Sequence, residues 1–98
     1  MIRRSHLRDG EKVKVTFVLP STQPHGHCSV VGDFNDWNPL ANPLKRRSNR
    51  SFSANVVLPT GKHYRFRYLG EDGAWFDEEE ADGYEPGPGN STNSVLAT

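Results

Sequence analysis

The segment Val30-Val31-Gly32-Asp33-Phe34-Asn35-Asp36-Trp37-Asn38-Pro39 concentrates the residues best suited to recognition chemistry. A β-prone run enters a turn rich in Asn and Asp, and the turn carries two aromatics, Phe34 and Trp37. In such a turn one aromatic can anchor in the core while the other projects outward; Phe34 is assigned to the core and Trp37 to the surface. An outward indole offers a flat apolar face that suits the CH-lined side of a pyranose ring. Composition alone favours a plainer reading, in which Trp37 is simply the core tryptophan of the fold, because large aromatics are mostly buried.

Three other clusters invite chemistry and are weaker. His25-Gly26-His27-Cys28 supplies potential metal ligands at tight spacing, but no second cluster completes a tetrahedron, so no metal site is expected. The run Lys45-Arg46-Arg47-Ser48-Asn49-Arg50 is the best case for nucleic acid, yet it is short and sits in a hairpin connection. A solvated turn that discourages edge pairing accounts for it. The acidic run Asp77, Glu78, Glu79, Glu80 and Asp82 lacks the alternating ligands and central glycine of a calcium loop. Glycoside hydrolysis would need two carboxyls facing each other across a cleft, and a chain this small has little room for one. No enzyme is expected.

The elements that must hold these residues are short strands. Val13, Val15, Phe17 and Leu19 alternate with Lys14, Thr16 and Val18, the period of a half-buried strand that Pro20 ends. Cys28 to Val31 is a second β-prone run. Phe52, Ala54, Val56 and Leu58 alternate again, and Pro59-Thr60-Gly61 reads as a hairpin turn leading to Tyr64, Phe66 and Tyr68 on one face. Asp72-Gly73 is a tight-turn signal before the short return strand Ala74-Trp75-Phe76. Gly83 to Gly89 reads as a Gly/Pro-rich loop, and a last strand from Val95 to the end would close an edge. The pairs Asn38-Pro39 and Asn42-Pro43 exclude a helix between the second and third of these strands.

The bulk properties agree. Ninety-eight residues suit one domain spanning 1–98, with residues 1–11 expected to be a loose N-terminal segment. A hydrophobic share of 34% makes a lean core, and nine Gly and seven Pro favour turns over long helices. Twelve basic and twelve acidic residues cancel, so no global field draws the chain to nucleic acid or to an anionic membrane. The single cysteine, Cys28, has no internal partner, which fits a reducing compartment. No apolar run has spanning length and no signal-peptide core follows Met1, so a cytoplasmic protein is expected.

The segment Val31-Gly32-Asp33-Phe34-Asn35-Asp36-Trp37 resembles the signature of carbohydrate-binding module family 48, the glycogen-binding or isoamylase N-terminal (early set) domain. The succession Leu58-Pro59-Thr60-Gly61, Tyr64-Arg65-Phe66-Arg67-Tyr68, Asp72-Gly73-Ala74-Trp75 and Asn93-Ser94-Val95 follows the family's order. That resemblance implies an all-β, immunoglobulin-like early set β-sandwich of about seven antiparallel strands. It also implies a non-catalytic module without cofactors that binds α-glucans such as glycogen or starch. Carried over residue by residue, Trp37 and Trp75 become the sugar-stacking residues. Arg67 becomes the basic residue that hydrogen-bonds sugar hydroxyls, with Arg65 as the fallback on the same face, and Asn93 becomes the sugar-binding asparagine. Three departures from the family are visible: a longer Gly70-Glu71-Asp72-Gly73 turn, an acidic run where the family often has proline shortly after the second tryptophan, and no hydrophobic gripping residue in Gly87-Pro88-Gly89-Asn90. The alternative is an early set protein-protein interaction domain associated with a glycogen-metabolising or glycoside hydrolase family 13 type enzyme, with weak or no sugar binding.

Overall fold

The computed structural model describes residues 1–8 and 10–98. The described residues form nine strands: β1 (Ile2–His6), β2 (Lys12–Pro20), β3 (Cys28–Gly32), β4 (Lys45–Arg46), β5 (Ser51–Pro59), β6 (His63–Gly70), β7 (Trp75–Phe76), β8 (Gly83–Pro86) and β9 (Thr92–Ala97). They make two antiparallel sheets, one ordered β1-β2-β5-β4 and the other β3-β6-β9-β8, with β7 also pairing β6. The only helical element among the described residues is one 3-10 turn, Asp33–Asn35. The all-β, immunoglobulin-like sandwich expected from the sequence is the observed fold.

Alternation in β2 sets the core. Val13, Val15 and Phe17 are wholly buried, and Leu19 nearly so, while Lys12 and Lys14 remain outside. Phe17 meets Phe66 from the other sheet at 5.2 Å between ring centres and Tyr68 edge-on at 6.5 Å. Each fully buried aromatic or branched side chain contributes roughly 1.5–3 kcal/mol, so these few residues dominate a lean core. Tyr68 has no exposed surface, and its hydroxyl donates to Glu78 Oε1 at 2.7 Å. Burial, together with the negative charge of Glu78, pushes the Tyr68 phenol well above its ordinary range.

The structure corrects four sequence expectations. The N-terminal segment expected to be loose holds a strand: Ile2–His6 pairs residue for residue with Phe17–Val13 of β2. Its polar side chains hid it, since only Ile2 packs against the core; Asp9 lies outside the described residues. Gly83–Pro86, read as loop, is β8, an edge strand where Pro86 breaks no interior ladder. Pro59-Thr60-Gly61 is not a hairpin turn, because β5 and β6 belong to different sheets and the connection crosses between them. Finally, β9 closes no edge; it lies between β6 and β8.

One detail of pairing positions the site. The first half of β6 pairs β9, from His63↔Ala97 to Phe66↔Ser94. The second half pairs β7, at Tyr68↔Phe76 and Leu69↔Trp75. Arg67 therefore lies where β6 passes from one neighbour to the other, between Asn93 and Trp75.

Candidate functional site

Glycine ends β3 because the backbone there is crowded. A Cβ on Gly32 would stand 2.5 Å from the Arg65 carbonyl oxygen and 2.7 Å from Phe66 Cβ. Beyond it the chain winds through the 3-10 turn into two successive left-handed residues, Asp36 (φ 55°) and Trp37 (φ 57°). That conformation is uncommon for residues other than glycine and has to be held by its surroundings. Asn35 holds it. Its side chain accepts from the Gly32 N–H at 3.0 Å and donates to the Val30 carbonyl at 3.1 Å and to Asn42 Oδ1 at 2.8 Å. The Trp37 N–H closes the turn on the Gly32 carbonyl at 2.9 Å.

This winding sends the two aromatics in different directions. Phe34 packs against the core and stacks on Phe17 at 5.6 Å. Trp37 is half-buried on the outer side, and its indole N–H donates to Asp33 Oδ1 at 2.9 Å. Asp33 Oδ2 accepts from the Arg65 backbone N–H at 2.8 Å and from Arg65 Nε at 3.2 Å. Burial by itself would raise the Asp33 carboxyl, but the Arg65 N–H, the Trp37 indole and the Arg65 guanidinium together hold it below its ordinary value.

Along β6, Phe66 and Tyr68 point inward, so Arg65 and Arg67 point outward. The Arg67 guanidinium carbon lies 6.0 Å from the centre of the Trp75 ring, at the outer limit of a cation–π contact. Its Nε is 3.5 Å from Asp77 Oδ1, close enough for ionic attraction. The alignment is not that of a hydrogen bond, and this buried nitrogen has no hydrogen-bond partner among the described residues. Asp77 is meanwhile occupied by the hydroxyls of Thr92 and Ser94. Trp75 leaves 44% of its surface exposed, a large apolar area to leave in water.

Asn93 lies on β9 opposite Glu85 of β8 and is 8% exposed. Trp37, Trp75, Arg65, Arg67 and Asn93, the five residues carried over from the sequence, all line one shallow depression of about 470 Å³. Two lining residues were missed, Pro88 and Ser91. They sit in the β8–β9 turn, where the Gly87 N–H reaches the Ser91 carbonyl at 2.9 Å and the Ser91 hydroxyl donates to the Pro88 carbonyl at 2.6 Å. Nothing in a Gly/Pro-rich string signals that placement without knowledge of β8. The lining offers two indole faces, two guanidiniums, an amide and a hydroxyl, and no carboxylate among the described residues. Such a surface can stack on flat apolar rings and hydrogen-bond the polar groups at their edges.

The weaker clusters have structural partners. His25 stacks on Phe76 at 4.4 Å and bonds Asp72 at 3.0 Å, while His27 meets Phe52 edge-on at 5.5 Å. Among the described residues no group of three or more His, Cys, Asp or Glu is arranged to hold a metal ion. Glu78 is 2% exposed and accepts from the Met1 ammonium, the Tyr68 hydroxyl and the Glu80 N–H. No helix among the described residues is long and apolar enough to cross a membrane.

Comparison with known proteins agrees with this fold. The chain is 39% identical over 69 residues to the 1,4-alpha-glucan branching enzyme GlgB of Deinococcus radiodurans, covering 67% of the chain and 10% of that enzyme. It is 36% identical over 72 residues to 1,4-alpha-glucan branching enzyme GlgB 2 of Xanthomonas campestris pv. campestris, 69% of the chain and 9% of the enzyme. Over 74 residues it is 28% identical to the amylopullulanase of Thermoanaerobacter thermohydrosulfuricus, 71% of the chain and 5% of that protein. The chain thus spans a tenth or less of the length of these relatives. A family profile, carbohydrate-binding module 48 (isoamylase N-terminal domain), matches residues 7–85. With that match over most of its length, the chain belongs to the carbohydrate-binding module 48 (isoamylase N-terminal domain) family.

Proposed function

We infer that this domain is a non-catalytic module that binds α-glucan chains of the glycogen or starch kind. The observation that carries the reading is the gathering of Trp37, Trp75, Arg67 and Asn93 around one open depression. The indoles would stack on the apolar faces of glucose units, while Arg67, Asn93 and Arg65 orient the hydroxyls. Asp33 and Asp77 stand behind the two arginines and fix where their donors point. An open site of this make-up implies a Kd on the order of micromolar to millimolar for one short chain. A branched polymer would raise the apparent affinity by presenting many overlapping chains.

Affinity electrophoresis in gels containing glycogen or amylopectin tests this directly. The domain should be retarded, and Trp37→Ala or Trp75→Ala should each remove most of the retardation. Unretarded migration of the parent domain would overturn the reading.

A second reading is favoured by the relatives, in which the matched region is a small part of a much longer enzyme. Here the domain works beside a glucan-metabolising catalytic unit and contacts it directly. A stoichiometric complex that survives gel filtration in the absence of glucan would support this role.

A further inference from the structure

The outer face of the β1-β2-β5-β4 sheet, on the other side of the sandwich from the tryptophans, carries its own depression of about 230 Å³. It is built by register. Arg3 of β1 lies opposite Thr16 of β2, and Thr16 lies opposite Asn55 of β5. In the next rank Val18 lies opposite Ser53. These positions alternate with the inward Val15, Phe17 and Ala54, so they share the outer face. Arg47 and Asn49, from the turn between β4 and β5, close the far side.

Counting donors and acceptors shows what this hollow can take. The Thr16 hydroxyl donates to Asn55 Oδ1 at 2.7 Å, Arg47 Nε donates to Ser53 Oγ at 2.7 Å, and the Ser51 hydroxyl donates to Asn49 Oδ1. Both amide oxygens therefore already accept one hydrogen bond within the protein. The amide nitrogens of Asn49 and Asn55, the Ser53 hydroxyl proton and the terminal nitrogens of Arg47 remain available. Arg3 spends its Nε on Met1 Sδ at 3.4 Å and keeps its terminal nitrogens. Neither arginine has an ion-pair partner among the described residues, and no carboxylate lines the hollow. The acceptors are uncharged hydroxyl and amide oxygens, and those of Asn49, Asn55 and Ser53 each already hold one donor.

A neutral sugar needs acceptors for its own hydroxyl protons. An oxyanion needs donors and positive charge, and guanidinium forks match its geometry. We propose that this depression is a second binding site, specific for a phosphoryl group, held between Arg3 and Arg47 and hydrogen-bonded by Asn49, Ser53 and Asn55. It shares no residue with the tryptophan-lined depression, so it stands or falls independently of glucan binding.

The test is an NMR titration of the side-chain amides of Asn49 and Asn55 and of Arg47 Nε–H. Inorganic phosphate and glucose 6-phosphate are added at ionic strength matched with chloride, with glucose as the neutral control. Saturable shifts confined to these groups are expected with both phosphates and not with glucose. Tighter binding of glucose 6-phosphate than of phosphate would identify a sugar-linked phosphoryl group as the source; equal binding would identify the free ion. The double variant Arg3→Gln/Arg47→Gln should weaken binding at least about tenfold, as expected for losing charged hydrogen bonds. Lys62→Gln, outside the hollow, should leave binding unchanged. Should the double variant fail to fold, Arg47→Lys, which keeps charge but loses the fork, should weaken binding by a smaller factor. Shifts reproduced by chloride alone, or equal affinity in the arginine variants, would overturn the proposal and leave a solvated basic face.

Discussion

At the scale of single residues, Asp33 joins two parts of the site that lie far apart in sequence. One oxygen takes the Trp37 indole proton and the other takes two protons from Arg65. Asp33→Asn would turn an amide nitrogen toward one of these donors. Losing such charge-assisted bonds should cost about 1–3 kcal/mol in urea unfolding, with a several-fold loss of glucan affinity as Trp37 loosens. The acid limb of stability should involve the same residue. Asp33 and Glu78 both have carboxyls held below their ordinary values. For Glu78, burial opposes the shift, and the Met1 ammonium, the Tyr68 hydroxyl and the Glu80 N–H outweigh it. Groups lowered by folding add stability that is complete above their unfolded values, near pH 4–4.5. That stability is lost as pH falls through the folded values. The melting temperature should therefore hold from neutrality down to about pH 5 and drop below it. Glu78→Gln should lower the plateau and shrink the drop. Trp37, Trp75 and Asn93 could be picked out from residue type and motif order. Asp33 sits inside that motif, yet its role could not be read, because one partner, Arg65, is brought to it only by the β3–β6 pairing.

At the scale of elements, legibility followed the faces of the sheets. β2 announced itself because one face is buried and the other wet, which writes a period of two into Val13–Leu19. β1 and β8 are edge strands with little buried surface, so Arg3-Arg4-Ser5-His6 and Gly83-Tyr84-Glu85-Pro86 carry no such period. The turn chemistry of Pro59-Thr60-Gly61 was visible, but a turn does not say which sheet receives the next strand. Although it looks dispensable, β1 covers one side of β2 and brings Ile2 to the core. Ile2→Ala should cost about 1–2 kcal/mol, less than full burial would give. Removing residues 1–6 should lower the urea midpoint further and promote self-association through the bared edge of β2, visible by light scattering.

At the scale of the molecule, the two sheets share one core across which Phe17 touches Phe66 and Tyr68. Tryptophan fluorescence, which reports the site, and far-UV circular dichroism, which reports the sheets, should lose signal in one coincident transition. The binding modes should separate by salt. Stacking on glucan should be almost indifferent to ionic strength, whereas attraction of a phosphoryl group to Arg3 and Arg47 should weaken as salt rises. The two outer faces differ in one further respect. Val31 alternates with the inward Val30 and so belongs to the face that carries Arg67, its directly opposite neighbour, yet it has no exposed surface and lies outside the central core cluster. The side chains of that face must therefore cover it. Arg67 is roof as well as proposed ligand group, so evolution would retain a long side chain there with or without glucan binding. In a comparison of relatives, persistence at this position would report the valine beneath it as much as any sugar above.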